Sequence, residues 1–295
     1  MVTKEVLKDF VENNPKLVTR KESTRYPGLF VLKYSRRVFF DNLWTDVLEE
    51  CRGTVIDADW NIVVAPPTKI YNHFENNTTI DRDEDTLAVE KINGFMCAVT
   101  YVEGHGVIVS TTGSLDSDFV TLAEKYITPI IKGEIERDGR DTTFFFEICA
   151  PEDPHIVPEK EGAYLLGARF LPATDDYFST AEHEKFLDEA AIGFGVKRPK
   201  WKVARFSDVC AEAKVVKHEG FVCYGQVSKT ALKIKSPYYL TQKMFARKKD
   251  IMSLDKARME EEYYPLREYL LTIADEFNAM EEQERLDVMR KFLEN

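Results

Sequence analysis

The sequence predicts an α+β protein, built of mainly antiparallel sheets with flanking helices and followed by a small all-helical C-terminal domain. Three observations carry this reading. Short apolar runs of strand length recur at close intervals through the first 240 residues. Turn formers separate most of them, and Asp57-Ala58-Asp59-Trp60-Asn61 and Glu103-Gly104-His105-Gly106 read as hairpin connections, which only antiparallel neighbours can use. From Thr241 onward the pattern becomes purely helical, so the chain divides into 1–240 and 241–295.

In chain order, Lys4 to Val11 has helical spacing through Val6, Leu7, Phe10 and Val11, and Leu29 to Phe40 is rich in β-branched and aromatic residues, as a strand would be. Strand-length runs follow at Gly53–Ile56, Ile62–Val64, Ala98–Val102, Val107–Ser110, Thr143–Ala150, Tyr164–Phe170, Gly220–Tyr224 and Ala231–Ile234. Phe119 to Ile131 and Thr180 to Ala191 read as amphipathic helices laid over those sheets. Past Thr241, Tyr263-Tyr264-Pro265 marks a break, and Leu266, Leu270, Ile273, Phe277, Leu286, Met289 and Phe292 keep a helical period. No internal repeat is visible.

A chain of 295 residues with 44% hydrophobic residues can bury a real core. No run approaches the ~20 apolar residues needed to cross a bilayer, and Met1 to Leu17 alternates charge with apolar residues, unlike a secretory signal. A soluble, cytoplasmic protein is expected, in the host cytoplasm if the source is viral. Cys51, Cys97, Cys149, Cys210 and Cys223 are odd in number and form no C-x-x-C, so they read as buried small hydrophobes in a reducing compartment. The net charge of −11 argues against a polyanionic partner only on average. Lys197 to Lys249 holds fourteen Lys or Arg against three acids, a local +11, which leaves −22 for the remainder. One groove is therefore expected to be basic, although Lys197 to Arg205 alone would also suit a solvated loop. Met259 to Asn295, with eleven acids against four basic residues, should not be the main nucleic-acid surface.

Candidate chemistry centres on Lys91 in Val89-Glu90-Lys91-Ile92-Asn93-Gly94-Phe95, flanked by Leu87-Ala88-Val89 and Phe95-Met96-Cys97-Ala98-Val99. A strand, a tight turn and a strand would set the amine at the floor of a cleft between sheets; a surface hairpin lysine is the plainer alternative. K-x-x-G alone occurs about once by chance in such a chain. Leu232-Lys233-Ile234-Lys235-Ser236 returns a lysine pair at strand alternation, so both amines project from one face. Glu147 lies in Phe144-Phe145-Phe146-Glu147-Ile148-Cys149-Ala150-Pro151, where an ionised carboxylate is costly unless something binds it. Either a buried cation or a functional ligand would satisfy it. Glu219 stands at the mouth of another apolar strand, fourteen residues before Lys233, and the two should converge across a hairpin. Val107 to Ser114 is a polar, Gly-containing strand exit that could offer N–H and hydroxyl groups to phosphate. A lysine amine near other cations and out of water is the kind of nucleophile that attacks a nucleotide α-phosphorus.

Taken in order, Glu50-Cys51-Arg52-Gly53, Pro67-Thr68-Lys69-Ile70-Tyr71-Asn72, K-x-x-G at Lys91, F-E-x-x-A-P at Glu147, E-G-x-V at Glu219 and K-I-K-S at Lys233 resemble the bacteriophage-type RNA ligase 1 family, over about Leu29 to Tyr239. The resemblance implies a nucleotidyltransferase (adenylation) domain and an ATP-dependent RNA ligase. Lys91 would take AMP from ATP, pass it to an RNA 5′-phosphate, and a 3′-hydroxyl would then displace AMP, with Mg2+ required and Mn2+ able to substitute. Lys233 and Lys235 would orient and neutralise the α-phosphate, and Arg52 and Lys69 would hold the β and γ phosphates or the RNA phosphate. Tyr71, Glu90, Ile92 and Gly94 would surround the nucleotide, and Tyr239 would close the K-I-K-S segment. Glu147 would contact the ribose or a metal, and Glu219 would help hold the metal. The partner would be RNA with 5′-phosphate and 3′-hydroxyl ends, met by a monomer. Three positions depart from the family pattern: Asn93 replaces an aspartate, His155 an expected arginine, and Thr112 a frequent lysine. DNA ligases and capping enzymes append a β-barrel after the second lysine pair, whereas the residues after Lys235 look helical. Two other classes stay in view, a non-catalytic nucleic-acid-binding relative of the fold and an acidic structural protein with surface lysines.

Overall fold

The β-branched and aromatic runs become strands of three sheets in the computed structural model, which describes residues 2–172, 177–248, 250–255 and 264–293. Elements are numbered in chain order. The first sheet is β1 (Val18–Glu22), β2 (Phe30–Tyr34), β3 (Arg52–Ile56) and β4 (Ile62–Val64), side by side and antiparallel. The second contains β7 (Phe95–Val102), β8 (Gly106–Thr111), β9 (Thr142–Cys149) and β10 (Gly162–Phe170) in the order β10-β9-β7-β8. The third contains β5 (Tyr71–Asn72), β6 (Asp85–Glu90), β11 (Trp201–Arg205), β12 (Gly220–Gly225) and β13 (Ala231–Lys235) in the order β11-β6-β12-β13-β5. Its β13–β5 pair is parallel and its other pairs are antiparallel.

Every residue of β9 is buried, because it lies mid-sheet with helices on one face. Val120 of α4 (Asp118–Glu124), Ile131 and Ile135 of α5 (Pro129–Asp138) and Leu187 of α6 (Ala181–Phe194) pack there against Val99, Phe146 and Leu165. Each such side chain contributes about 1.5–3 kcal/mol of burial. α1 (Lys4–Asn13) and α3 (Asp46–Glu50) cover the first sheet through Leu7, Val11 and Leu48. α7 (Phe206–Ala213) covers the third through Phe206 and Val209.

Two local expectations change and two alternatives fall away. The run Leu29 to Phe40 is a strand only to Tyr34; an extended Ser35 ends it and α2 (Arg36–Phe40) begins. Phe119 to Ile131 divides into α4 and α5, since Pro129 stands at the start of the second helix, where Thr128 Oγ1 caps the Ile131 N–H. Trp201–Arg205 is not a loop: it is the edge strand β11, paired with β6, and its side chains face water often enough to look polar. The strands around Lys91 are not a hairpin either, because β6 and β7 lie in different sheets.

The last elements are α8 (Pro237–Ala246), α9 (Tyr264–Thr272), α10 (Ala274–Ala279) and α11 (Glu282–Leu293). Phe245, Leu266, Leu270, Phe277, Leu286 and Met289 bury one another there, together with Ile156 and Val157 from the loop after β9. Arg290 of α11 donates to the Ile156 carbonyl at 2.6 Å. Tyr263 of the expected break lies outside the described residues.

Candidate active site

Lys91 sits where the chain leaves one sheet for another. Its N–H donates to Gly220 O at 2.8 Å, which extends the β6–β12 pairing. Asn93 and Gly94 then turn the chain into β7. Gly94 is required by close approach: a Cβ there would overlap the Ile148 carbonyl oxygen of β9 and lie 3.0 Å from Glu147 Cγ. Gly220 has φ +132°, and a Cβ on it would overlap the Ile234 carbonyl of β13. Two bare backbones thus let the segments that flank the lysine pack closely, Gly94 against β9 and Gly220 against β13.

Glu219 is the hub of the polar groups. Its side chain is 2% exposed, and Lys91, 23% exposed, holds Nζ 2.9 Å from its Oε2. Asn93 Nδ2 donates to the same oxygen at 2.7 Å, and Lys235 Nζ stands 3.6 Å from Oε1. Asn93 uses its other end too, accepting from Val157 N–H at 2.9 Å, while its own N–H donates to Glu159 at 3.3 Å. An amide suits this place, since only it can donate to a carboxylate and accept from a backbone N–H at once.

The cross-strand register sets Val222 opposite Lys233 and Gly220 opposite Lys235, so the two lysines share a face. Burial drives the Lys233 ammonium down to about 7, helped by the nearby charges of Arg52, Lys69, Lys91 and Lys235. Burial also lowers Lys235, against the pull of Glu219. Its ammonium lies 5.0 Å over the Tyr239 ring. On the facing sheet Glu147 accepts from Gly94 N–H at 3.0 Å, and burial raises its carboxyl pKa while Lys91 opposes the rise. Glu159 is likewise raised by burial.

Arg52, Glu90, Lys91, Ile92, Gly94, Glu147 and Lys233 all line one cavity of ≈ 370 Å³. Phe145, Leu166, Tyr177, Val222 and Tyr224 give it an apolar and aromatic wall that the sequence reading missed. Lys235 and Glu219 reach it through Lys91. Lys69 and Tyr71 do not line it. Lys69 pairs with Glu75 at 2.8 Å and lies 4.1 Å over the Tyr71 ring, and the Tyr71 hydroxyl donates to Glu49 at 2.5 Å. Burial and that contact raise the Tyr71 pKa. His155 pairs with Asp153 at 2.8 Å. Thr112 lines the cavity, and a Cβ on the adjacent Gly113 would lie 2.7 Å from the Lys33 ammonium, which brings a cation to the turn from another strand. Also unforeseen was the buried pair of Glu50 and Arg169, bonded at 2.7 and 3.0 Å, which anchors the start of β3 and hence Arg52 to β10. A charged residue inside the apolar run Tyr164–Phe170 was the available signal, as it was for Glu147.

Antiparallel sheets that meet over a lysine and a glycine turn, with a Lys-x-Lys strand alongside, define a nucleotidyltransferase fold. The RNA ligase family model matches residues 50–239, well over half of the chain, and the chain belongs to that family. No curated protein matches it. Among solved structures, one form of an archaeal ATP-dependent RNA ligase is similar at a TM-score of 0.60 and 14% identity, with 95% of this chain and 75% of that chain covered. A second form gives 0.59 and 16%, covering 96% and 75%. A putative ATP-dependent DNA ligase from Aquifex aeolicus gives 0.57 and 17%, covering 99% and 75%. At these identities the likeness is one of fold. Among the described residues no helix is long and apolar enough to cross a membrane.

Proposed function

We propose that the protein is an ATP-dependent RNA ligase that works through a lysyl-AMP intermediate on Lys91. The observation that carries this is the Lys91 amine held at a cavity between two sheets, 2.9 Å from the buried Glu219 and alongside Lys233. Lys91 Nζ attacks the α-phosphorus of ATP, the bond to pyrophosphate breaks, and the amine proton passes to Glu219, the carboxylate already in contact with it. An RNA 5′-phosphate oxygen next attacks the same phosphorus, the P–N bond breaks, and Lys91 recovers a proton. A 3′-hydroxyl then attacks the activated 5′-phosphate, loses its proton, and releases AMP.

Charge neutralisation and positioning account for most of the barrier reduction in such transfers. Lys233 becomes an effective cation as phosphate enters, because an anion beside a buried amine restores its proton. Lys235 is steadied by Glu219 and Tyr239. Arg52 meets the phosphates farther from Lys91, and Glu90, Ile92 and Gly94 with the aromatic wall enclose the nucleoside. Tyr71 lies on β5, the edge strand paired beside β13, and Lys69 adds positive charge near Lys233.

Among the described residues no group of three or more His, Cys, Asp or Glu could hold a metal by itself. Glu147 and Glu219 still fit a magnesium or manganese ion of the kind held by one or two carboxylates and completed by substrate phosphates and water. A bound ion would supply charge compensation at the phosphates. Residues 1–240 would carry this chemistry, with 241–295 as a helical domain, in a cytoplasmic monomer.

The test is incubation with α-labelled ATP and magnesium followed by a denaturing gel. A label that survives base, leaves in acid, and disappears in Lys91→Ala is expected. Label that persists in Lys91→Ala would reassign the nucleophile, and no label on the wild-type protein would favour a non-catalytic nucleic-acid-binding role.

A further inference from the structure

The end of β2 and the short α2 bring Lys33, Arg36, Phe39 and Phe40 to the walls of one groove of ≈ 360 Å³. Arg52 and Thr112 line both this groove and the cavity that holds Lys91, so the two spaces adjoin at these residues. Phe39 and Phe40 are 56% and 75% exposed, and their rings meet edge to face at 5.6 Å. Two adjacent phenyl rings left in water are costly unless a partner covers them. Lys33, Arg36 and Arg52 make no ion pair or side-chain hydrogen bond among the described residues, in a chain whose net charge is −11. Unpaired cations tracking one wall, with exposed rings beside them, form the combination that binds single-stranded nucleic acid through backbone phosphates and base stacking. A protein partner would cover the rings but gives no reason for cations that continue into the cavity.

We propose that this groove holds the first unpaired nucleotides of the RNA strand whose 5′-phosphate enters the cavity. Bases lie against Phe39 and Phe40, and Lys33 and Arg36 meet the backbone phosphates. The assignment rests on the reading of the cavity as the adenylate site. In an in-line displacement, departing pyrophosphate and incoming 5′-phosphate both lie on the side of the α-phosphorus away from Lys91. Arg52, shared by the two spaces, is the cation met along that path.

The experiment measures fluorescence anisotropy of a 3′-labelled, 5′-phosphorylated single-stranded RNA, with lysine adenylation and AMP transfer to RNA followed in parallel. Phe39→Ala/Phe40→Ala is expected to raise Kd about tenfold or more, to lower AMP transfer at limiting RNA, and to keep the thermal midpoint, since both rings are on the surface. Arg36→Ala should reduce the salt dependence of binding by about one counterion. Unchanged RNA affinity in the double Phe variant, with wild-type adenylation intact, overturns the groove alone. A change in oligomeric state with RNA affinity preserved also overturns it, in favour of a protein interface. No adenylate on the wild-type protein instead removes the reading of the cavity on which the groove depends.

Discussion

Lys233→Met should make the nucleotide-free protein more stable while abolishing adenylate formation. Burial, with Arg52, Lys69, Lys91 and Lys235 nearby, lowers Lys233 from 10.5 to about 7. At about 1.4 kcal/mol per pH unit, this bounds the cost of holding the ammonium in the folded protein at about 5 kcal/mol. Solvent reaching the partly exposed side chain reduces it to about 2–3 kcal/mol. Methionine keeps the length and apolar stem without the charge, so the gain at or below pH 7 is of that order, and on the order of 2 °C in Tm per kcal/mol. The sign of the pH dependence follows from proton binding. Between about 7 and 10.5 the unfolded lysine holds a proton that the folded one has released, so wild-type stability rises with pH across that window. The lead of the variant should be full below pH 7 and shrink toward pH 10. Thermal unfolding of both proteins at pH 6.5, 8 and 9.5 without nucleotide measures it. A Lys233→Met protein less stable than wild type at pH 6.5, or a gap that widens with pH, would refute the reasoning.

Gly94→Ala should lose adenylate formation and a few degrees of Tm, because its methyl meets the Ile148 carbonyl; normal labelling would show that the two strands can move apart. Arg169→Met leaves Glu50 buried and unpaired and should cost about 3–5 kcal/mol in urea unfolding, whereas Glu50→Leu/Arg169→Met should recover much of it. Equal losses in the single and double variants would contradict this. Asn93→Asp sets a carboxylate against Glu219, where a 2.7 Å donor now lies, so magnesium should stabilise the variant more than wild type in a thermal-shift titration. Identical shifts would count against a cation site there.

Strand alternation explains why Lys233 and Lys235 could be placed on one face from the sequence, and apolar runs why Glu147 and Glu219 stood out. A single charge in a run of Phe, Ile and Val has few places to go. The purely helical pattern after Thr241 was equally visible, since its apolar residues recur at turns of a helix. Lys69 and Tyr71 show the limit. Their direction is decided by Trp44, Glu49 and Glu75 and by a two-residue strand on the far edge of the sheet. No local period encodes those contacts. The Glu50–Arg169 pair spans 119 positions and is equally invisible to spacing. The split at Pro129 lies outside the single-helix reading of Phe119 to Ile131, although proline, which opens a helix and does not continue one, was its local signal. The Leu29 to Phe40 run misled for the opposite reason: past Ser35 only Val38 turns into the core while Phe39 and Phe40 stay exposed, a spacing that suits a short helix rather than a strand.

Arg290 holds Ile156, the next residue Val157 donates to Asn93, and Asn93 grips the carboxylate that touches the Lys91 amine. α11 is therefore linked to the Lys91 amine through polar bonds that each cross a different chain segment. Anything that seizes α11, whether a folded RNA or another molecule, can tug on that link and change how tightly the amine is restrained. Loosening at the far end should be felt in how firmly that amine is held, before the protein comes apart.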